Sequence, residues 1–207
     1  MKISDRLKYA FYILKHPFDG FWCLKTEKIG NIKSAIILLA AFFVTMVVRL
    51  YTSSYIVSTI DLIDFSIWML LAVIVGVFLL FCISNWSLTT LMEGSGSFTN
   101  IIIATAYSLT PITLVNIPLA LLSQVITLEE VAFYTFFNTV SIVYTIFLIL
   151  AANMSIHEYT MTKSIGTAIL TVLVMICVVA IGILFINLVQ QVGGLITSII
   201  KEISFRL

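Results

Sequence analysis

The sequence predicts an all-α, polytopic integral membrane protein with five transmembrane helices and an amino-terminal amphipathic helix at the membrane interface. Of the 207 residues, 61% are hydrophobic and 10% are charged, whereas soluble domains are roughly 45–50% apolar and about 25% charged. Several runs without Asp, Glu, Lys or Arg also exceed the ~20 residues that a spanning helix needs. These runs are Phe65–Met92, Gly94–Leu128, Val131–Ile156 and Ser164–Ile200, and Ser34–Ile60 is interrupted only by Arg49.

We place the spans in order along the chain at 34–57, 65–86, 100–123, 131–153 and 167–190. They divide the chain into a juxtamembrane segment (1–33), a transmembrane domain (34–190) and an amphipathic tail (191–207). Seven of the eleven Lys and Arg residues precede the first span. The positive-inside rule therefore predicts a cytoplasmic amino terminus in the cell membrane. Because the number of crossings is odd, the carboxyl terminus and its tail are expected outside.

The juxtamembrane segment begins with apolar residues at helical spacing. Ile3, Leu7, Ala10 and Leu14 recur on one face, which predicts an amphipathic helix over 3–15. Such a basic helix is expected to lie flat on the cytoplasmic leaflet, where anionic lipid attracts it. Docking to a cytoplasmic partner is a compatible alternative. The expected surface anchors are Lys2, Arg6, Lys8, Phe11 and Trp22.

The third span contains two prolines in the stretch "ATAYSLTPITLVNIPLALLS" (104–123). Pro111 and Pro118 would free the carbonyls of Tyr107 and Leu114, which must then be satisfied from within the protein. The expected donors are Ser108, Thr110, Thr113 and Asn116. We interpret the span as a kinked helix packed around its neighbours. A broken helix that lines a binding site is the alternative, but such sites usually carry an ionisable group, and this span has none.

Motifs of catalysis and metal binding are incomplete in this sequence. "EEVAFY" (129–134) begins like the paired glutamates of an intramembrane CAAX-type protease but lacks the arginine that follows. "HEYTM" (157–161) has Met161 where H-E-x-x-H has its second zinc ligand. "EGSGS" (93–97) is glycine-rich without a lysine, and we interpret it as a flexible cytoplasmic turn. The three cysteines form no C-x-x-C pair. We predict no enzyme activity, no cofactor and no metal.

Three segments together resemble the bacterial branch of the Yip family, named for Ypt/Rab-interacting proteins. They are "LKHPFDGFWCLK" (14–25), "NW" to "LTTLMEGSGSF" (85–98) and "ATAYSLTPITL" (104–114). The resemblance implies an all-helical membrane protein without known catalysis, and it marks Gly94, Tyr107 and Pro111 as structural or interaction residues. It also implies an accessory role beside sugar-uptake transporters. The long amino-terminal region and acidic Tyr-Gly-Pro motif of eukaryotic relatives are missing, so Rab binding is not carried over.

Two functions of different classes follow from the sequence. The first is a non-enzymatic adaptor or accessory subunit that binds other integral membrane proteins, including ABC transporter subunits, within the lipid bilayer. The second is a small-solute transporter or channel that uses the kinked third span, with Tyr107, Thr113 and Asn116 lining a water-accessible cavity. An intramembrane enzyme would need converging ionisable groups, which only Arg49 near Asp61 or Asp64 approximates. No nucleic acid is expected as a partner, and association with a second copy stays open.

Overall fold

The regular structure of this protein is helical throughout the described residues. The computed structural model describes residues 3–52 and 66–206. Their helices are α1 (Ile3–Lys15), α2 (Pro17–Thr26), α3 (Ile32–Thr52), α4 (Ile67–Leu91), α5 (Phe98–Ser108), α6 (Thr110–Leu122), α7 (Val131–His157) and α8 (Met161–Arg206). A short 3-10 turn, Leu128–Glu130, precedes α7. Lys2, Asp61, Asp64 and the end of the first predicted span lie outside the described residues.

Within residues 3–52 and 66–206, five segments are long and apolar enough to cross a membrane, which confirms the predicted all-α membrane fold. α3, α4, α7 and α8 supply one span each, whereas α5 and α6 together supply the third. Several helices run further than their predicted spans. α4, for example, extends beyond residue 86 to Leu91, and the hydroxyls of Thr89 and Thr90 donate to carbonyls one turn earlier in the same helix, at 2.8 and 2.7 Å.

The third and fourth spans form the centre of the bundle. Within the most apolar window of each span, 56% of the residues are buried in Phe98–Leu122 and 44% in Val131–His157, against 6–17% in the others. α3 packs against α5 and α6, and α6 and α5 pack against α7. α4 and α8 form an antiparallel pair beside α5 and α7. The peripheral spans therefore direct most of their apolar surface away from the protein.

The amino-terminal helices pack onto this bundle. The predicted helix over 3–15 is present as α1, and the buried side chains of Ala10, Ile13, Phe21 and Leu24 join the hydrophobic core. α1 and α2 approach closely at Gly20, where a Cβ atom would lie 2.8 Å from Ile13 Cγ1. The face expected to contact lipid is thus partly buried against protein. Attachment of α1 to the membrane surface stays a prediction.

The last helix is longer than the sequence analysis predicted. α8 has 46 residues, which corresponds to about 69 Å at 1.5 Å per residue, more than twice a hydrocarbon thickness of about 30 Å. It continues through Gly193 and Gly194, so the predicted tail at 191–207 is not a separate helix over its described part. A glycine costs a helix only about 1 kcal/mol, too little to guarantee a break. The outer location of the tail stays a prediction.

Candidate functional site at the amino-terminal end of the bundle

The amino-terminal end of the bundle is formed by α1, α2 and the connections at 92–97 and 158–160. Lys25 of α2 joins both connections, because its Nζ lies 2.7 Å from Glu158 Oε1 and donates to Ser95 Oγ at 2.8 Å. Ser95 Oγ in turn donates to the carbonyl of Ile156 at 3.1 Å. The carboxyl of Glu158 is exposed, and the hydrogen bond and positive charge of Lys25 lower its pKa. One lysine thus ties the amino-terminal segment to two loops distant in sequence.

His157 occupies the centre of this end and is 3% exposed. Its Nδ1 accepts a hydrogen bond from the Gly96 N–H at 3.3 Å, and its ring stacks on Tyr159 with centroids 5.3 Å apart. The two glycines of "EGSGS" make room for it. A Cβ atom on Gly94 would lie 2.4 Å from His157 Nδ1, and one on Gly96 would lie 2.4 Å from Ile156 Cγ2 and 2.7 Å from His157 Cε1.

The connection after α4 is therefore closely packed where the sequence suggested a flexible turn. Neither Gly94 nor Gly96 has a positive φ; the left-handed residue is Glu93, with φ 59°. The Gly94 N–H donates to the carbonyl of Thr89 at 2.8 Å, which closes the end of the helix. Gly94 was predicted as a structural or interaction residue, and the structure places it against His157, in contact with the second connection.

Tyr159 and Lys163 cover the last carbonyls of α4. The Tyr159 hydroxyl donates to the Met92 carbonyl at 3.1 Å, and Lys163 Nζ donates to the same oxygen at 2.9 Å. The ammonium also lies 4.1 Å from the centre of the Tyr159 ring. A cation at a helix carboxyl terminus is favourable because the partial charge there is negative. Burial raises the pKa of the Tyr159 phenol.

Tyr107 connects the third span to the amino-terminal segment. Its side chain is fully buried, and its hydroxyl donates to the carbonyl of Arg6 at 2.9 Å and lies 3.2 Å from Ser34 Oγ. Arg6 itself donates from Nη1 to the carbonyl of Ile29 at 2.8 Å. One predicted anchor, Arg6, is therefore engaged with protein. Lys8, Phe11 and Trp22 have exposed side chains, and Lys2 lies outside the described residues.

The third span is interrupted only at Leu109, whose backbone stays in the right-handed helical region, so the span has the form of the expected kinked helix. α5 ends at Ser108 and α6 begins at Thr110, so Pro111 lies in the first turn of α6, where its missing N–H costs little. The carbonyl of Tyr107 accepts from the hydroxyl of Thr110 at 2.6 Å, which confirms the expected kind of donor. Pro118 is the interior proline of α6.

Asn116 lies in the same helix as Pro118 but is fully buried, whereas Pro118 is exposed. Its Nδ2 donates to the carbonyl of Ile112 at 3.0 Å, within its own helix, and not to the carbonyl that Pro118 leaves free. Its Oδ1 has no hydrogen-bond partner in the described part of the chain. Tyr107 thus contacts the amino-terminal segment, while Asn116 lies nine residues further along the third span.

A polar cluster joins α4, α7 and α8 inside the bundle. Asn85 Nδ2 donates to Asn153 Oδ1 at 3.3 Å and lies 3.4 Å from Thr171 Oγ1. Asn153 Nδ2 donates to Thr167 Oγ1 at 3.4 Å. These four buried side chains thus connect the three helices by hydrogen bonds. Arg49 also pairs with an asparagine, donating to Asn138 Oδ1 at 3.2 Å.

The sequence analysis did not predict the structural role of "HEYTM" (157–161) at the amino-terminal end of the bundle. The motif was tested only as a zinc site, and over residues 3–52 and 66–206 no group of three His, Cys, Asp or Glu side chains is placed to hold a metal ion. Its residues instead connect the two loops to α2 and α4. A histidine directly after an apolar run, with two closely spaced glycines in another connection, was the available signal. The sequence alone could not show that the two connections meet.

These five spans and their closed amino-terminal end define a multi-pass helical membrane protein. The chain belongs to the Yip1 domain family, because residues 11–182 match the family's Yip1 domain model. The family resemblance found in the sequence is thereby confirmed, whereas the assignment to its bacterial branch stays a prediction. No curated protein and no solved structure gives a significant match to this chain.

Proposed function

We propose that this protein is a non-enzymatic membrane adaptor or accessory subunit that binds other integral membrane proteins. One contrast carries the proposal. The cavity among α4, α5 and α7 inside the bundle is about 10 Å³, whereas a groove on the outward side of α7 is about 460 Å³. A further indentation of about 370 Å³ lies among α3, α4, α5, α7 and α8, and its lining is apolar except for Thr105. The small polar cavity and these apolar indentations favour recognition of another helix over passage of a polar solute.

The α7 groove has the features of a helix-binding surface. It is lined by Phe136, Thr139, Val140, Val143, Tyr144 and Phe147. In hydrocarbon, apolar surface alone does not drive helices together, because lipid tails are equally apolar; close packing does. A groove that accepts a ridge of side chains supplies such packing, and aromatic side chains are frequent anchors of protein interfaces.

The alternative of a transporter through the third span is less well supported. Tyr107 and Asn116, two of the residues expected to line a water-accessible cavity, are both 0% exposed. The hydroxyl of Tyr107 is bonded to the carbonyl of Arg6, and the amide nitrogen of Asn116 is bonded within its own helix. A solute path beside these residues would require both hydrogen bonds to be replaced.

The amino-terminal segment is the second surface that we assign to partners. Phe11 and Trp22 are 54% and 46% exposed although α1 and α2 pack on the bundle. With the amino terminus on the cytoplasmic side of the cell membrane, these rings would lie at the membrane–water interface, where aromatic side chains are enriched. The partner class implied by the family resemblance is a sugar-uptake transporter, such as ABC transporter subunits.

The proposal can be tested by photocrosslinking in intact membranes. A photoreactive amino acid would be placed at Val143, which is 60% exposed in the groove. Matched controls are Val172 of α8, which is 52% exposed outside the groove, and Leu148 of α7, which is 0% exposed. Adducts would be identified by mass spectrometry.

We expect one reproducible protein adduct from Val143, and none of the same mass from Val172 or Leu148. Its identity would then decide between a transporter subunit and another membrane protein. Adducts with lipid alone at Val143, or the same adducts at Val143 and Val172, would contradict the adaptor function. A vesicle assay in which the purified protein alone moves a solute would favour the alternative.

A further inference from the structure

A small cavity lies between the loops of the amino-terminal end and the polar cluster inside the bundle. Its volume is about 10 Å³, and its polar lining includes Asn85, Ser108 and His157. This volume is about the minimum that holds one water molecule. Two buried polar atoms of these lining residues, Asn85 Oδ1 and His157 Nε2, have no hydrogen-bond partner among the described residues.

The hydrogen bond from Gly96 fixes which ring nitrogen of His157 carries hydrogen. Because Nδ1 accepts from the Gly96 N–H, it has a free lone pair and is not protonated. The neutral imidazole then carries its single hydrogen on Nε2. Nε2 is therefore a buried donor that requires an acceptor, since buried polar groups are nearly always paired.

The amide of Asn85 is fixed in a complementary way. Its Nδ2 donates to Asn153 Oδ1 at 3.3 Å and faces Thr171 Oγ1 at 3.4 Å. This orientation leaves Oδ1 as an acceptor that requires a donor. The side chain is 1% exposed, so bulk solvent does not supply one.

We propose that the cavity is a binding site for a single water molecule that bridges His157 and Asn85. The water accepts from Nε2–H and donates one hydrogen to Asn85 Oδ1. Its second hydrogen stays available to a further acceptor of the lining, and two to four partners are typical of a buried water. A cation is disfavoured, because Nε2 of this neutral imidazole carries hydrogen and has no free lone pair to offer.

Nε2 of His157 has no direct hydrogen-bond partner among the described residues, so this water would connect the ring to the bundle interior. On one side, His157 directly precedes Glu158, which pairs with Lys25 of α2. On the other side, Asn85 belongs to the cluster of α4, α7 and α8. The water site is thus a polar link between the amino-terminal loops and the bundle interior, in addition to the hydrogen bond of 3.3 Å from the Tyr159 hydroxyl to the Thr89 carbonyl. It does not depend on the proposed adaptor function.

Nitrogen-15 labelling of histidine allows a direct test, because the chain has only two histidines. His16 is exposed and serves as the internal control. In the protein reconstituted in nanodiscs, we expect His157 to carry hydrogen on Nε2, with slow exchange and a nuclear Overhauser cross-peak at the water frequency. A His157 with hydrogen on Nδ1, or an Nε2–H without that cross-peak, would overturn the proposal.

Substitution separates the bridge from a histidine that is merely hydrated. Asn85→Leu removes the acceptor, so the water cross-peak of His157 should disappear. Asn187→Leu makes the same change on the exposed surface of α8 and should leave the cross-peak unchanged. A cross-peak that persists in a folded Asn85→Leu variant would refute the bridge. If Asn85→Leu does not fold, the wild-type measurement alone decides.

Discussion

The hydroxyl of Tyr107 lies 2.9 Å from the backbone carbonyl of Arg6 and donates a hydrogen bond to it. The two residues are far apart in sequence, and this contact joins the most buried span to the first helix of the chain. The donor is a side chain and the acceptor is backbone, so the identity of residue 107 determines whether α1 is bonded to the bundle here. The role of Tyr107 as a connecting residue can therefore be tested by removing one atom.

Tyr107→Phe should weaken the attachment of α1 to the bundle. The change removes the donor and leaves the buried Arg6 carbonyl without it, which costs about 1–3 kcal/mol. We expect a lower midpoint temperature of unfolding in detergent and faster tryptic cleavage at Lys8 and Lys15 of α1. Both would be measured against the wild type.

Tyr51→Phe is the matched control, because Tyr51 is 50% exposed near the end of α3. Its loss of a hydroxyl should change neither the unfolding temperature nor the cleavage rate. Equal behaviour of the two variants would show that the hydrogen bond from Tyr107 contributes nothing to the position of α1.

The glycines of the first connection should tolerate no side chain. Gly96→Ala places a methyl group 2.4 Å from Ile156 Cγ2 and 2.7 Å from His157 Cε1. Overpacking of this kind typically costs 1–3 kcal/mol, so the free energy of unfolding should fall by about that amount. Gly182→Ala is the control, since nothing lies within 4 Å of its added Cβ. Its stability should be unchanged or slightly higher, because alanine favours helix.

A double variant tests whether His157 is the neighbour that matters. His157→Ala removes the ring, so adding Gly96→Ala to it should cost less than Gly96→Ala costs in the wild type. The difference between the two costs is the interaction energy of a double-mutant cycle. If the effects of the two substitutions are purely additive, the cost of the added methyl group does not depend on the His157 ring.

The transmembrane helices were predictable because a span is a local property of the sequence. The length of an apolar run and the absence of charge within it define a span. The fourth span accordingly begins at Val131 in α7, as predicted. Helix ends were less predictable. Thr89 and Thr90 appear polar in sequence, yet their hydroxyls bond to helix carbonyls and the helix continues.

The candidate site was not predictable to the same extent, because it depends on contacts between distant segments. Lys25, Ser95 and Glu158 come from three separate elements, and each has an unremarkable sequence context. Gly94 was identified through the family resemblance, but the reason for a glycine there is the space that His157 occupies. A sequence pattern can indicate that a residue matters without indicating its neighbour.

The ion pair between Lys25 and Glu158 should make stability depend on pH. The pKa of Glu158 is lowered by the hydrogen bond from Lys25 and by its charge. A carboxyl with a lowered pKa in the folded state stabilises the protein above its ordinary pKa of 4.5, and this contribution is lost as the pH falls through the lowered value. The unfolding temperature of the wild type should therefore exceed that of Glu158→Gln at neutral pH.

The difference between these two proteins should shrink below pH 4.5 and disappear as the pH falls through the lowered pKa of Glu158 in the folded protein. Glu129→Gln is the control, because Glu129 is an exposed carboxyl in the connection before α7. Its difference from the wild type should stay small across the same pH range. A gap between wild type and Glu158→Gln that is unchanged at low pH would argue that the ion pair is not its source.

The interruption between α5 and α6 should depend on the hydroxyl of Thr110. Because Pro111 has no N–H, the Tyr107 carbonyl needs other donors, and the Thr110 hydroxyl bonds to it at 2.6 Å. Thr110→Val keeps the shape but removes this donor from a buried site, at an expected cost of about 1–3 kcal/mol. Thr90→Val removes a bond of 2.7 Å to a helix carbonyl at an exposed position, where water can replace it. The unfolding temperature should fall for Thr110→Val and change little for Thr90→Val; the reverse order would show that the interrupted span does not rely on this hydroxyl.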